Sequence, residues 1–366
     1  LFARSDWSDD ATFLSFQAGH NFTHHGHYQA GHFTLNKAGE PLALTSGTYG
    51  KWDSPHRLHY YIRTVSSNSL LVQKPEEKVA PNRFFAMNVA AGGQRIVMPT
   101  GSAITSIADW RDNIDQGRHY EGGSVKAFET RDDTYVYVSA DLTPAYNNII
   151  YDENGDDGKV EDVSRKLVYL PNEDMLLIYD RVTSTEPGYT KKWLVHTTTK
   201  PRSDNEELLI GDDRNGILLT SDKRLFVEGL KSSLTIFPLL PENSLTRKVG
   251  GVDYRYYVEI DGDDSTIDGL NMDIGSNEQP WFDSGLWRME IQPKNVQKTA
   301  TFLVALVPRV KGDEPVSAPR LVRGLGVDGV VIDNLCILFS QNDRDRDLLQ
   351  YHLDKTGGSQ VVFGVE

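Results

Sequence analysis

The sequence predicts an all-β protein: a large multilayer antiparallel β-sandwich followed by a small β-sheet tail. Short runs rich in Val, Ile, Tyr, Phe and Thr recur every 8–15 residues, with Gly, Asn, Asp or Pro between them. Helical periodicity is confined to two candidate segments, Ala103–Asp109 and Ser340–Gln350. No fixed-period repeat is visible, which disfavours a propeller or a solenoid. Many short strands joined by turns are typical of stacked antiparallel sheets.

The predicted strands divide into a large sandwich and a short tail. The clearest are, in chain order, Thr12–Gln17, Phe33–Asn36, Tyr60–Thr64, Thr134–Ser139, Met175–Arg181, Trp193–Thr198, Gly216–Thr220, Tyr254–Ile260, Trp287–Ile291 and Thr301–Leu306. Pro308–Pro319 contains three prolines and several charges, which is typical of a linker or a crossing loop. We therefore expect a β-sandwich over 1–308 and a small β region over 309–366.

Composition excludes several classes of protein. The chain has 366 residues, 38 Lys and Arg against 52 Asp and Glu, and a net charge of −14, which argues against nucleic-acid binding. One cysteine excludes a disulfide framework and a cysteine-based zinc site. No apolar run approaches the roughly 20 residues that a membrane span needs. The chain begins without Met and without a signal peptide, so we expect a piece of a longer polypeptide.

Charge and histidine are unevenly distributed. The segment 1–70 holds five basic and five acidic side chains, so the remainder carries the whole net charge of −14. The same segment holds seven of the ten histidines. If a polyanion binds this protein, we expect it to bind to this segment, where electrostatic repulsion is lowest.

Five histidines are concentrated in the segment 20–32: His20, His24, His25, His27 and His32. On an extended strand, His25 and His27 would share one face, and Gly26 between them leaves room for a ligand. Imidazole can act as a general base, a partner for a carboxylate or a metal ligand. The alternative is an incidental cluster on a wet sheet face.

The next stretch supplies candidate substrate contacts. Tyr49 and Trp52 bracket a glycine-rich loop and are placed to stack on a sugar ring. Arg57 or Arg63 is suited to clamp a carboxylate or sulfate, and a surface salt bridge is the competing interpretation. His56 and His59 are further contact candidates. Tyr60 and Tyr61 are predicted to place one ring in the core and one at the surface.

Together these motifs resemble the heparinase II/III-like polysaccharide lyases. The matching segments are Arg4–Trp7, His25–His27, Gly31–Phe33, Ser46–Tyr49 and Arg63–Ser69. The matching motifs are closely spaced over residues 1–72, and the similarity is weaker over the rest of the chain. In that family a helical (α/α) toroid precedes a multilayer β-sandwich, so this chain resembles the sandwich without the toroid, and the family implies a periplasmic or secreted location.

The resemblance implies β-elimination at a uronic acid. The sugar carboxylate is neutralised, a base removes the C5 proton, and an acid protonates the departing glycosidic oxygen. The family's first H-x-H histidine corresponds to His25, while the toroid supplies the other groups. Its second histidine, a zinc ligand, corresponds to His27. The two other zinc-ligand positions fall on Thr45 and Ser67, which are not usual zinc ligands.

We therefore predict part of a polysaccharide lyase acting on a uronate-containing polyanion, such as alginate or a glycosaminoglycan. His25 is the candidate catalytic residue, and Tyr49, His56, Arg57 and His59 are candidate substrate contacts. His27 is a candidate zinc ligand. The helical toroid is expected upstream or in another chain. A non-catalytic carbohydrate-binding sandwich and a uronate C5-epimerase are the alternatives.

Overall fold

Antiparallel sheets make up most of the chain, and the predicted all-β fold is confirmed. The computed structural model describes residues 1–20, 26–77, 91–95, 105–116, 122–131, 134–149, 157–205, 207–210, 216–259, 269–274, 284–313, 317–324, 326–341, 348–353 and 359–364. Within these ranges no helix is both long and apolar enough to cross a membrane.

A four-stranded sheet forms from the first residues of the chain. Its strands pair in sequence order: β1 (Phe2–Arg4), β2 (Thr12–Phe16), β3 (Phe33–Lys37) and β4 (Glu40–Ala43). Alternate side chains of β2 and β3 are buried, because each strand turns one face to the core. The predicted histidine cluster lies in the sequence between β2 and β3, and residues 21–25 of it lie outside the described residues.

Two larger sheets form the body of the sandwich. The six-stranded sheet, in the order β12-β13-β16-β19-β10-β5, consists of β5 (Leu70–Gln73), β10 (Thr190–Thr197), β12 (Leu208–Ile210), β13 (Gly216–Thr220), β16 (Ser244–Gly250) and β19 (Trp287–Pro293). The eight-stranded sheet, in the order β11-β14-β15-β20-β9-β8-β7-β6, consists of β6 (Ser124–Arg131), β7 (Tyr135–Asp141), β8 (Val160–Leu170), β9 (Met175–Ser184), β11 (Arg202–Ser203), β14 (Leu225–Glu228), β15 (Ser232–Leu240) and β20 (Thr299–Val310). The main hydrophobic core lies between them, with Trp193 fully buried against Phe33.

Two outer layers cover the sandwich. The hairpin of β17 (Tyr257–Glu259) and β18 (Gly269–Asn271) packs on the outer face of the six-stranded sheet. The tail forms a five-stranded sheet of β21 (Arg320–Gly324), β22 (Val327–Ile332), β23 (Leu335–Ser340), β24 (Leu348–Leu353) and β25 (Ser359–Gly364). It packs on the outer face of the eight-stranded sheet. The division at residue 308 stays a prediction.

Strand β9 is buried on both faces. Leu176 and Ile178 point into the main core, whereas Met175 and Leu177 point into a second core beneath the tail sheet. The hydrophobic run of this strand is continuous because neither face meets water.

Two segments differ from their sequence predictions. Tyr60–Thr64 is not a strand, because a π-helix spans Arg57–Tyr61 and a 3₁₀ turn spans Thr64–Ser66. Ser340–Gln350 is not a helix where described, because β23 ends at Ser340 and β24 begins at Leu348. Two further elements are α-helical: α1 (Ile107–Asp115) and the single turn α2 (Thr143–Tyr146).

A buried ion pair fixes the loops of the histidine-rich region. Arg165 on β8 donates from Nε and Nη2 to the two carboxylate oxygens of Asp180 on β9, at 2.7 and 2.8 Å, and both side chains have no exposed surface. Arg165 Nη1 also donates to the carbonyl oxygens of Gly31 and Asn68. One guanidinium therefore joins the eight-stranded sheet to the segments that precede β3 and β5.

Candidate functional site

The π-helix starts from a local helix signal. Pro55 occupies the first helical position, and the Ser54 hydroxyl accepts a hydrogen bond from the Arg57 N–H at 3.2 Å. The Ile62 N–H then donates to the Arg57 carbonyl at 3.2 Å, which is the wider hydrogen-bond spacing of a π-helix. Residues 57 and 61 consequently lie on the same side of the helical turn.

This helical turn has an inner and an outer face. His56 and Tyr60 point inward and pack against Tyr256, with ring centroids 4.5 and 5.3 Å from the Tyr256 ring. Arg57 and Tyr61 lie on the other side. Gly47 makes the inward packing possible, because a Cβ there would lie 2.9 Å from His56 Nε2 and its φ is +78°.

Aromatic rings surround the Arg57 side chain. Its guanidinium carbon lies 4.5 Å from the centroid of the Trp52 ring and 5.2 Å from that of Tyr49. Nη1 donates to the Trp52 carbonyl oxygen at 3.0 Å. Trp52 is 45% exposed and Tyr49 43% exposed, so both rings present a surface to solvent. We call Arg57, Tyr49, Trp52, Tyr61 and His27 the Arg57 cluster.

The Arg57 charge has no carboxylate partner among the described residues. The side chain is only 6% exposed, and its Nε atom is buried without a hydrogen-bond partner in the described part of the chain. A buried cation without a counterion is costly. The arrangement therefore favours an external oxyanion, and a planar guanidinium matches carboxylate and sulfate well.

His27 lies beside Tyr61 at the edge of the cluster. Their rings meet edge to face, with centroids 4.7 Å apart. Burial, assisted by the Arg57 charge, lowers the pKa of His27 to about 4. Burial also raises the pKa of the Tyr61 phenol. At neutral pH the imidazole is therefore uncharged and the phenol protonated. His27 belongs to a loop rather than to the predicted extended strand.

His56 and His59, predicted as substrate contacts, are both buried. The His56 ring accepts at Nε2 from the Thr48 N–H at 3.3 Å and donates from Nδ1 to the Met272 carbonyl at 2.6 Å. His56 therefore supports the loop that carries Tyr49 and Trp52, and its role as a substrate contact stays a prediction. His59 is 2% exposed, and burial, together with Arg63, lowers its pKa to about 4. Of the predicted contacts, the structure brings Tyr49 and Arg57 together.

A second polar network beneath the site escaped the sequence analysis. His32 accepts at Nδ1 from the Asn68 N–H at 2.9 Å, so its Nε2–H donates to the Thr45 hydroxyl at 3.0 Å. The Asn68 amide donates to the Phe33 carbonyl and accepts from the His196 N–H. Asn68 thereby joins β3, the start of β5 and β10. Asn68 lies within the matching segment Arg63–Ser69, but the sequence does not reveal these contacts, because the partners are 35 to 128 residues away.

The described residues at the two other expected zinc-ligand positions are engaged in hydrogen bonds within the chain. Thr45 is engaged with His32, and the Ser67 hydroxyl donates to the Thr64 carbonyl at 2.8 Å. His27 lies close to a cation, which disfavours a divalent metal ion. Across the described ranges no three His, Cys, Asp or Glu side chains are grouped as metal ligands. His24 and His25 lie outside the described residues, so zinc binding and the catalytic role of His25 stay predictions.

The buried neutral histidines predict acid sensitivity. Burial lowers the pKa of His32 from 6.5 to about 3, so the unfolded chain binds more protons than the folded one between these values. The free energy of unfolding should therefore fall as the pH drops from 6.5 towards 4, by about 1.4 kcal/mol per pH unit for this group. Urea denaturation from pH 7 to pH 4 measures the slope.

Two variants test the assignment to His32. His32→Gln should remove about one proton from the pH slope. Thr45→Val removes the hydroxyl that accepts the Nε2–H but keeps the imidazole, so it should lower the free energy of unfolding while preserving the slope. An unchanged slope in His32→Gln would contradict the prediction.

The chain is a multilayer antiparallel β-sandwich in which a buried arginine lies between two half-exposed aromatic rings. Comparison with solved structures identifies the fold more closely: the chain has the fold of the C-terminal part of heparinase III.

Two solved structures illustrate the likeness. A heparinase III with methylated lysines matches with a TM-score of 0.50 and 13% sequence identity, over 96% of this chain and 40% of that one. The heparan sulfate lyase HepC from Pedobacter heparinus matches with the same TM-score and identity, over 96% of this chain and 41% of its own. This chain therefore spans about 40% of the length of those lyases. No protein-family model and no curated protein matches the sequence.

Proposed function

We propose that this chain is the β-sandwich part of a polysaccharide lyase that cleaves a uronate-containing polyanion by β-elimination. Heparan sulfate, the polymer for which the lyase HepC is named, makes a glycosaminoglycan the first substrate to test. The lyase-like fold supports assignment to the polysaccharide lyases, and the Arg57 cluster supports β-elimination at a uronic acid.

The reaction needs an electrophilic group at the sugar carboxylate. Removal of the C5 proton leaves negative charge that spreads onto this carboxylate, so a cation beside it stabilises the transition state. The C5–H and C4–O bonds break, a C4=C5 double bond forms, and a proton passes to the leaving oxygen. Arg57 is proposed to hold the carboxylate, and His25 to take part in proton transfer.

The single observation that carries this proposal is the buried Arg57 guanidinium, which lies between two half-exposed rings and has no carboxylate partner among the described residues. An oxyanion bound at Arg57 would gain free energy, because it would supply the counterion that the described residues do not provide. Tyr49 and Trp52 add aromatic faces against which a sugar ring can stack. The remaining acid–base groups are proposed to come from a helical toroid domain.

The test follows the unsaturated uronate that β-elimination creates. The natural polypeptide that carries this chain is incubated with heparan sulfate, other glycosaminoglycans and alginate, and ultraviolet absorbance is recorded. Growth of absorbance with shortening of the polymer supports a lyase. Glycan binding without this signal would instead support a carbohydrate-binding module, and proton exchange at C5 without cleavage would support an epimerase.

His25→Ala separates the lyase from the binding module. We expect this variant to lose turnover while it keeps most of its glycan affinity, because the proposed role of His25 is in proton transfer. Equal turnover in the variant and the natural protein would remove His25 from the mechanism.

A further inference from the structure

The β17–β18 hairpin lies against the loop 46–52, which carries both half-exposed rings of the Arg57 cluster and which we call the site loop. At the open end of the hairpin, the Met272 carbonyl accepts a hydrogen bond from His56 Nδ1 at 2.6 Å. The Tyr256 ring packs on the His56 ring, with centroids 4.5 Å apart. His56 Nε2 accepts from the Thr48 N–H of the site loop at 3.3 Å. The imidazole therefore links the hairpin to the site loop.

The chain that follows the hairpin also contacts the site loop directly. Ile274 packs on Gly50 so closely that a Cβ at Gly50 would lie 3.2 Å from Ile274 Cγ1. The Gly47 N–H donates to the Ser284 hydroxyl at 2.8 Å. The position of the site-loop backbone therefore depends on where the hairpin and residue 284 lie.

Glu259, the last residue of β17, fixes the hairpin to the six-stranded sheet. Its carboxylate lies 2.7 Å from Lys192 Nζ on β10 and pairs with Arg247 on β16. It also accepts from Gln73 Nε2 on β5 at 2.6 Å. The three charged side chains are at most 12% exposed. One buried carboxylate thus joins the hairpin to three strands of the sheet.

Glu259 also balances the charge beneath the hairpin. The outer face of the six-stranded sheet carries three buried cations, Lys192, Arg247 and Arg288, around the carboxylate of Glu290. Although burial opposes ionisation, Lys192 and Arg247 lower the pKa of Glu259 to about 2, so its carboxylate stays charged. Without it, three cations of the described residues would share one carboxylate, which is costly in a buried network.

We propose that Glu259 is a positioning residue for the Arg57 cluster: its ion pairs hold the β17–β18 hairpin, and the hairpin holds the site loop. The connection is short. β17 pairs with β18 along its whole length, and the Met272 N–H donates to the Tyr256 carbonyl at 3.0 Å. A displacement at Glu259 is therefore carried by backbone hydrogen bonds to both groups that hold His56. The effect on catalysis rests on the proposed lyase function, whereas the effect on the site loop does not.

Amide hydrogen exchange tests the effect on the site loop without a substrate. Glu259→Gln keeps the size of the side chain and removes its charge, so the hairpin should dock more weakly. In the natural polypeptide that carries this chain, we expect the site loop of this variant to exchange at least about tenfold faster, because it opens locally. Strand β9 should be accelerated much less, since it lies on the other side of the main core from the hairpin.

Glu161→Gln is the matched control, because Glu161 forms an exposed ion pair with Lys298 at 2.6 Å and lies on β8. It should leave exchange of the site loop unchanged. Equal acceleration of the site loop and β9 in Glu259→Gln would indicate a general loss of stability and would overturn the proposal. Unchanged exchange of the site loop in Glu259→Gln would overturn it as well.

Glu259→Asp keeps the test decisive if Glu259→Gln does not fold. This variant preserves the charge balance but shortens the side chain, so the hairpin is pulled from its position while the network keeps both carboxylates. We expect a smaller acceleration that is again selective for the site loop. Exchange of the site loop at the natural rate in Glu259→Asp would then overturn the proposal.

Kinetics on a cleaved polymer separate this role from the lyase proposal. Glu259→Gln should lower kcat/KM by about tenfold or more, because displaced rings no longer orient the sugar and the Arg57 guanidinium. Glu161→Gln should keep the natural value. Faster exchange of the site loop with unchanged kcat/KM would exclude a positioning role in the reaction. If the natural protein cleaves no polymer, the lyase proposal fails, and the exchange experiment still decides whether Glu259 positions the site loop.

Discussion

Arg57→Leu is expected to lower turnover of a uronate polymer by about 10²- to 10³-fold, the range seen when one transition-state hydrogen-bond donor is removed. Among the described residues of the Arg57 cluster, the Arg57 guanidinium is the cation proposed to pair with a sugar carboxylate. Since Arg57 has no carboxylate partner among the described residues, its replacement strands no buried anion there. The variant should therefore stay folded, at the cost of one hydrogen bond to the Trp52 carbonyl.

Steady-state kinetics on the active polymer, with a thermal melt beside them, measure this effect. Arg57→Lys should recover only part of the activity, because an ammonium group keeps the charge but loses the planar fork and the stacking. Arg224→Leu is the matched control: Arg224 also stacks on an aromatic ring, Phe226, but is exposed and paired with Asp204. Similar kinetics for Arg57→Leu and Arg224→Leu would exclude Arg57 from the site.

Asp180→Ala is expected to lower the free energy of unfolding by about 3–5 kcal/mol, the usual cost of removing one partner from a buried ion pair. Arg165 would remain with no exposed surface and no carboxylate acceptor. The loss should also reach the candidate site, because the same guanidinium holds the carbonyls of Gly31 and Asn68.

Urea denaturation gives the magnitude of the Asp180 effect. Asp204→Ala provides the control, since Asp204 forms an exposed pair with Arg224, and such pairs contribute about 0–1 kcal/mol. A double variant, Arg165→Leu with Asp180→Leu, removes the unpaired charge and should recover part of the stability lost in Asp180→Ala; the carbonyls of Gly31 and Asn68 would still lose their donor. A cost below about 1 kcal/mol for Asp180→Ala would contradict the prediction.

Strand positions were largely predictable from the sequence, because alternation and turn residues are local signals. Gly216–Thr220 forms a strand with the predicted bounds, and Thr12–Gln17 differs from β2 by one residue. The segment around Tyr60 was misassigned. Its β-branched and aromatic residues suggest a strand, but Ser54 and Pro55 start a helical turn and the ring of Tyr60 is buried against Tyr256. The local sequence is compatible with both a strand and a helical turn, and the packing of Tyr60 in the interior selects the helical turn.

The sequence predicted which residues belong to the candidate site, but not how deeply each one is buried. Residue type and proximity identified Tyr49, Trp52 and Arg57, and the structure places them in contact. Burial was not predictable, since His56 and His59 look like surface ligands in the sequence and lie in the interior. Met272, whose carbonyl binds the buried His56 ring, lies 216 residues further along the chain, a separation that no motif encodes.

The double burial of β9 has a consequence for any attempt to divide this chain. Met175 and Leu177 are covered by Val330, Ile337 and other side chains of the tail sheet. Truncation at residue 308 would expose this apolar surface to solvent, and large exposed apolar patches promote aggregation. The tail sheet thus covers one apolar face of the sandwich. Any shortened form of the chain made for expression should therefore keep the tail sheet.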